Sequence, residues 1–421
     1  MKILLLLLYL LTVAFGLWLR TLNLRHLARH GAEVPPELEG AVDPELLART
    51  SAYTLAQSRL GLAESLFGSV LTVAFFFGGL LPLYDRWVAS LSGSFVAGGV
   101  LFFVGLALAQ TLLGIPFSLY RHFVLEARFG FNAMTGRLWM ADLAKSTLLS
   151  CLLLSLLTAG ALWLVQASPQ RWWLWVWGFA ALTTLFLMYL SPYLIEPLFH
   201  RFEPVRDEEL RQRIQALMEK AGLRISAVQQ VDASRRSRHS NAYFTGIGRV
   251  KRIVLYDTLL AQMSEDEILA ILAHEAGHWK LGHIRRRLLW AELISLLAFG
   301  IAFLALQWEG LPSLLGMAEA SFFGRVAIFG FLASVLTFPL TPLGSWWSRR
   351  HEWQADRFAV DLAGAPQPLA SALVKLAREN LANLHPHPLY AWFHYSHPPI
   401  VDRVRRLDGV SPSSRHGVNP P

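Results

Sequence analysis

Seven stretches of this chain are long and apolar enough to cross a lipid bilayer, at about 3–19, 62–83, 95–120, 147–165, 172–190, 288–307 and 326–346. In hydrocarbon every backbone N–H and C=O must be bonded within the segment, so each stretch has to be a helix. The composition agrees: 54% of the 421 residues are hydrophobic and the mean hydropathy is +0.38, too apolar for an ordinary soluble globule. The first stretch could be a signal peptide or a retained span: Lys2 before a leucine-rich run opens like a signal, no clean small-x-small cleavage site closes it, and it is counted as the first span. Pro116, Pro339 and Pro342 are predicted to kink or end their helices.

Charge sets the orientation. If the segments after spans one, three, five and seven share one side, that side holds all 38 Lys and Arg except Lys2, Arg86, Arg171 and Arg325. The short segment 121–146 alone carries Arg121, Arg128, Arg137 and Lys145. That side is therefore expected to be cytoplasmic, with the N-terminus outside. The net charge of +8 is accounted for in this way, and no basic run interleaved with aromatics suggests nucleic acid. Cys151 is the single cysteine, which excludes a disulfide framework and a cysteine zinc site.

The chain is expected to divide into residues 1–190, spans one to five with their loops, and 191–287, a cytoplasmic catalytic region. Residues 288–347 would hold spans six and seven, 348–408 a second cytoplasmic region, and 409–421 a disordered tail. Within 191–287 the pattern predicts an amphipathic helix at 207–221 and short strands near 226–231 and 252–256. A further helix follows, opened by Ser264 and Glu267 as a capping box.

That last helix carries His274-Glu275-Ala276-Gly277-His278. Residues four apart share a helix face, so His274 and His278 can both direct a ring nitrogen at one metal ion. Glu275 sits about 100° around the turn, placed to reach a metal-bound water without being a ligand. Neutral imidazoles, an open coordination position and a carboxylate base are what zinc hydrolysis requires. In SRRHEWQADRFA, Glu352 is the best third ligand. Asp356, one turn on, suits the acceptor that fixes a ligand histidine's tautomer. The same spacing also fits a solvated charged helix face. His283 and His351 are weaker candidates, better read as packed or surface residues. Asn241, Ala242 and Tyr243 precede a strand-like run and could present backbone and amide groups to an extended peptide; a plain turn is the alternative. His397, held before Pro398 and Pro399, suits a group stabilising a tetrahedral intermediate, although most lone histidines are not catalytic.

Taken together, LEARFGFNAMT (125–135), PLFHRFEPV (197–205), DASRRSRHSNAYFTG (232–246), RIVLYDTLL (252–260), HEAGHWKLGH (274–283), SRRHEWQADRFA (348–359) and SHPP (396–399) resemble the type I CAAX prenyl protease family. The likeness runs in order over nearly the whole chain. It implies a mainly α, polytopic fold: seven helices around an intramembrane chamber, with a cytoplasmic gluzincin-type zinc protease domain carrying a small β element. It implies one zinc ion held by His274, His278 and Glu352, Glu275 as general base, and substrate or transition-state contacts at Asn241 and His397. Partners would be the bilayer and a peptide or protein substrate: a prenylated CAAX C-terminus, or a misfolded or stalled membrane protein. The compact length and short loops point to a bacterial inner membrane. The competing class is a membrane scaffold or channel with a structural zinc site, which would ordinarily have four protein ligands. Glu64 and Glu292, at or near span ends, receive no role.

Overall fold

A computed structural model describes residues 1–245 and 250–409 of the chain. Among them, seven helices are long and apolar enough to cross a membrane: Lys2–His30, Pro44–Phe76, Phe95–Glu126, Gly136–Ala167, Trp172–Phe199, His283–Gln307 and Phe322–Ala363. Their outward faces carry exposed leucines such as Leu11, Leu148, Leu182 and Leu304, as lipid-facing surfaces should. Some of their faces share a core around Phe102, Leu162, Ile328 and Phe331, which Leu81 joins from the chain that follows the second span.

The second span differs from its expected position. Its helix begins at Pro44, capped by Asp43, and stops at Phe76 rather than near 83. Gly78 follows, and then Gly79 at φ +87, a conformation that ends a helix and that glycine alone adopts freely. Leu80–Leu91 is a separate amphipathic helix with Leu81, Asp85 and Val88 buried. Pro116 does not end its helix, which runs through to Tyr120 and then widens into a π-helical turn, Arg121–Glu126. Pro339 does interrupt the seventh span. A 3-10 turn, Phe338–Leu340, separates Phe322–Thr337 from Thr341–Ala363.

The expected boundaries at 190, 287 and 347 all fall inside helices. A helix once formed propagates cheaply into water, so membrane helices run on as struts of the polar region. That region holds the expected amphipathic helix, Glu208–Lys220 with Asp207 as N-cap. Beside it lies a four-stranded sheet: β1 (Phe202–Pro204), β2 (Arg224–Val231), β3 (Ala242–Thr245) and β4 (Val250–Tyr256), in the order β1-β2-β4-β3. β2 and β4 are parallel, while β3 pairs antiparallel to β4 with Ala242 opposite Leu255. β3 is therefore an edge strand. A second core, with Ile214, Met218, Ile253, Leu255, Leu272 and Ala276, joins sheet to helices. Beyond Gly409, the tail expected to be disordered lies outside the described residues.

Candidate active site

The motif helix, Glu265–Lys280, starts where its sequence directs. Ser264 Oγ accepts from the Glu267 amide while Glu267 Oε2 accepts from the Ser264 amide, closing the capping box. Ile268, Leu272, Ala273 and Ala276 are buried along one side. On another side the helix meets Thr341–Ala363 at very short range: a Cβ on Gly277 would lie 3.1 Å from Ala355 Cα and 3.3 Å from its carbonyl oxygen. Two small residues thus let the backbones approach closely enough for Glu352 to face the motif histidines.

The result is a compact cage. His274 Nε2 and His278 Nε2 are 3.2 Å apart, and Glu352 oxygens lie 3.4 Å from the first and 3.3 Å from the second. For tetrahedral zinc with ligand bonds of about 2.0–2.1 Å, ligand-to-ligand edges are about 3.3 Å. The two histidine nitrogens fit that figure, each with a different oxygen of Glu352 (Oε2 to His274, Oε1 to His278), and the three groups form a buried to half-buried set able to hold a metal ion.

The remaining ring nitrogens are also engaged. Asp356 Oδ1 is 2.8 Å from His274 Nδ1. A carboxylate only accepts, so in the neutral ring Nδ1 carries the proton and Nε2 keeps its lone pair for a metal. Buried Arg403 fixes Asp356 in turn, donating from Nε (2.9 Å) and Nη2 (2.5 Å). Burial opposes charge on His274, yet hydrogen bonds to Asp356 and Glu352 outweigh it and push its pKa up to about 9. The field at this point favours a cation. On the other side His278 Nδ1 lies 3.1 Å from His283 Nδ1, and His283 Nε2 lies 2.9 Å from Gln354 Oε1. Gln354 Oε1 accepts, which places a proton on His283 Nε2 and leaves its Nδ1 to accept from His278. His278 Nε2 is thereby free for a metal.

Glu275 is half-buried and makes no hydrogen bond or ion pair with any described residue. His397 is 65% exposed, with Nδ1 2.8 Å from Glu352 Oε2. The fold thus draws it to the cage from far along the chain. Ala242 on β3 shares the buried core with Ala273 and Ala276, which flank His274. Asn241 is exposed, and its Oδ1 accepts from the Ala242 amide at 2.8 Å. The Asn241 carbonyl accepts from the Tyr256 amide of β4, so alternation turns Ala242 to the free edge, where Asn241 Oδ1 takes its N–H and its carbonyl is left open. The Tyr243 side chain leaves the site and donates to Glu196 Oε2 at 2.9 Å, and by the same alternation its backbone faces Val254 of β4, so Tyr243 offers nothing to the free edge.

His283 and His351 are packed, as expected, their rings stacked with centroids 4.1 Å apart. The relay role of His283, and the roles of Gln354, Arg403 and Gly277, had no separate signal in the sequence. Arg403 is one of three arginines in VDRVRR, and only burial sets it apart from the exposed Arg405 and Arg406.

Comparison with known proteins covers almost the whole chain. Residues 23–201 match the family described as CAAX prenyl protease N-terminal, five membrane helices. Residues 204–411 match peptidase family M48. The CAAX prenyl protease 1 homolog of Arabidopsis thaliana is 35% identical over 397 residues, 89% of this chain and 90% of that protein. The CAAX prenyl protease 1 of Saccharomyces cerevisiae is 32% identical over 415 residues, 91% and 90% respectively. The crystal structure of S. mikatae Ste24p superposes with a TM-score of 0.90 at 30% identity, covering 97% of this chain and 99% of that one.

Proposed function

The chain belongs to peptidase family M48, in the line of the CAAX prenyl proteases, and from that premise we propose how this multi-pass membrane metallopeptidase works and on what. The metal is one zinc ion, held by His274, His278 and Glu352. The observation that carries this reading is the cluster of His274, His278 and Glu352, whose nitrogens are 3.2 Å apart and lie 3.3 to 3.4 Å from the two Glu352 oxygens, beside a carboxylate, Glu275, whose side chain no described residue engages. When bound, zinc supplies Lewis acidity toward the scissile carbonyl and toward a water. Glu275 takes that water's proton and hands it to the leaving amine. His397, beside the cage, donates to the developing oxyanion; a donor of this kind is worth about 3–4 kcal/mol. Asp356 and Arg403 hold His274, and His283 holds His278, in the tautomers a metal needs.

The substrate enters as an extended strand on the free edge of β3, bonding to Ala242, with Asn241 offering its amide. Its class is the prenylated CAAX C-terminus named for the relatives. The site opens to the cytoplasm, the side that carries most Lys and Arg.

The test is zinc content together with cleavage on purified wild type and Glu275→Gln, using a farnesylated CAAX peptide and its unmodified twin. About one zinc per chain in both proteins, with cleavage by wild type alone, is expected. Wild-type rates from Glu275→Gln would overturn the assignment of the base. Absence of zinc from folded wild type would overturn the metal. Equal cleavage of the twin peptides would move the substrate class to misfolded or stalled membrane proteins.

A further inference from the structure

The helix that supplies Glu352 carries more than the metal cage. Ser345, Arg349, Glu352 and Asp356 are spaced so that they form one stripe along Thr341–Ala363. The last two belong to the cage, and the first two reach the segment that bears His397. Ser345 Oγ donates to Phe393 O at 3.0 Å. Arg349 Nη1 donates to Ala391 O at 3.2 Å and to Tyr395 O at 2.6 Å. Helix Pro388–His394 ends at this point, so the Phe393 and Tyr395 carbonyls lie past the last amides that their own helix can offer. The stripe supplies donors in their place.

The Tyr395 carbonyl is two residues before His397. That imidazole is 65% exposed, so packing does little to orient it. Behind its segment lies a cavity of 400 Å³, lined by Arg349, Trp353, Trp392, Pro398 and Pro399 among others. The segment is instead held at two points on the same stripe. Arg349 anchors it before His397, and Asp356 anchors it after, through Arg403 on helix Ile400–Asp408. Glu352 lies between these anchors, and His397 Nδ1 meets its Oε2 at 2.8 Å. The fixed φ of Pro398 and Pro399 stiffens the chain on the far side, which leaves Ser396 and His397 as the hinge. Releasing the Tyr395 carbonyl frees that hinge.

We infer that Arg349 is a positioning residue for His397: by holding the Tyr395 carbonyl it sets how far the imidazole stands from the metal cage. The inference rests on the reading of His397 as donor to the oxyanion. A misplacement of about 1 Å in such a group costs about 100-fold in rate.

The experiment uses the full-length zinc protein in detergent, cleaving a farnesylated CAAX peptide, in four forms: wild type, Arg349→Met, His397→Ala and the double variant. Arg349→Met keeps the stem and removes the donors. It is expected to lower kcat about ten-fold or more, with KM changed less than about two-fold and zinc still at about one per chain. In the His397→Ala background the same substitution is expected to change kcat less than about two-fold, because the group it places is gone. A general structural role would lower kcat by the same factor in both backgrounds. Arg349→Lys keeps a donor on a shorter stem and is expected to fall between wild type and Arg349→Met; if Arg349→Met does not fold, Arg349→Lys runs the same cycle. Equal losses in the two backgrounds, wild-type kcat in the Arg349 variant, or loss of its zinc each overturn the inference while leaving the peptidase reading intact. Wild-type kcat in His397→Ala overturns the role of His397 and the inference with it.

Discussion

Gly277→Ala adds one methyl group to the motif helix and tests whether helix separation sets the metal cage. The added Cβ would stand 3.1 Å from Ala355 Cα, 3.2 Å from Phe358 Cδ1 and 3.3 Å from Ala355 O. Favourable carbon–carbon separation begins at about 3.5 Å, so the two helices must part by at least about 0.4 Å. The obstacle is backbone, which cannot rotate away. A metal site tolerates about 0.2 Å in its ligand distances, so the change strains the Glu352 side of the cage by about twice that margin. Alanine over glycine stabilises a helix by about 1 kcal/mol, whereas overpacking costs about 1–3 kcal/mol. The net effect on folding is thus between nearly none and about 2 kcal/mol lost. Metal affinity is the sensitive readout. Competition against a chromophoric chelator is expected to show zinc bound at least about ten-fold more weakly, with cleavage falling in step at limiting zinc. Wild-type affinity in a folded Gly277→Ala protein would refute the idea that this contact spaces the ligands.

Other outcomes follow from the same geometry. His283→Ala removes the acceptor for His278 Nδ1 and should weaken zinc about 10- to 100-fold while leaving Glu275 in place, measured by the same competition; unchanged affinity would show that the relay is incidental. Asp356→Asn puts an amide against His274 Nδ1–H and Arg403, so zinc affinity should fall by a similar factor and Tm should drop; a wild-type melt and wild-type affinity together would contradict this. Glu267 is buried, and although burial favours its neutral acid, Lys375 at 2.8 Å, Ser371 at 2.6 Å and the Ser264 amide hold its carboxyl below the usual 4.5. Its folded pKa is depressed, so its stabilisation is present above about 4.5 and is lost as pH falls below that value. Thermal melts of wild type and Glu267→Gln in chelator should therefore differ most at neutral pH and converge below pH 4.5; parallel curves would rule out this linkage.

Much of this protein was legible from local pattern alone. Hydropathy identified seven spans because a bilayer demands a long unbroken apolar run, and no fold can hide one. The capping box at Ser264 and Glu267, the four-residue spacing of His274 and His278, and that of Glu352 and Asp356 are properties of single helices, which one-dimensional periodicity encodes. The second span was misjudged by its run of apolar residues because Leu80 to Leu83 are as hydrophobic as a span but lie beyond the backbone break at Gly79. Which helices meet was decided only by the tertiary structure. Glu352 faces the histidines because Gly277 and Ala355 let two backbones touch, and Arg403 differs from Arg405 only in being buried against Asp356. His283 becomes a relay because Gly282, at φ +70, turns the chain back at the end of the motif helix and starts a membrane span beside it. Such contacts depend on volume and direction in three dimensions, between segments far apart in the chain, and no local period carries that information.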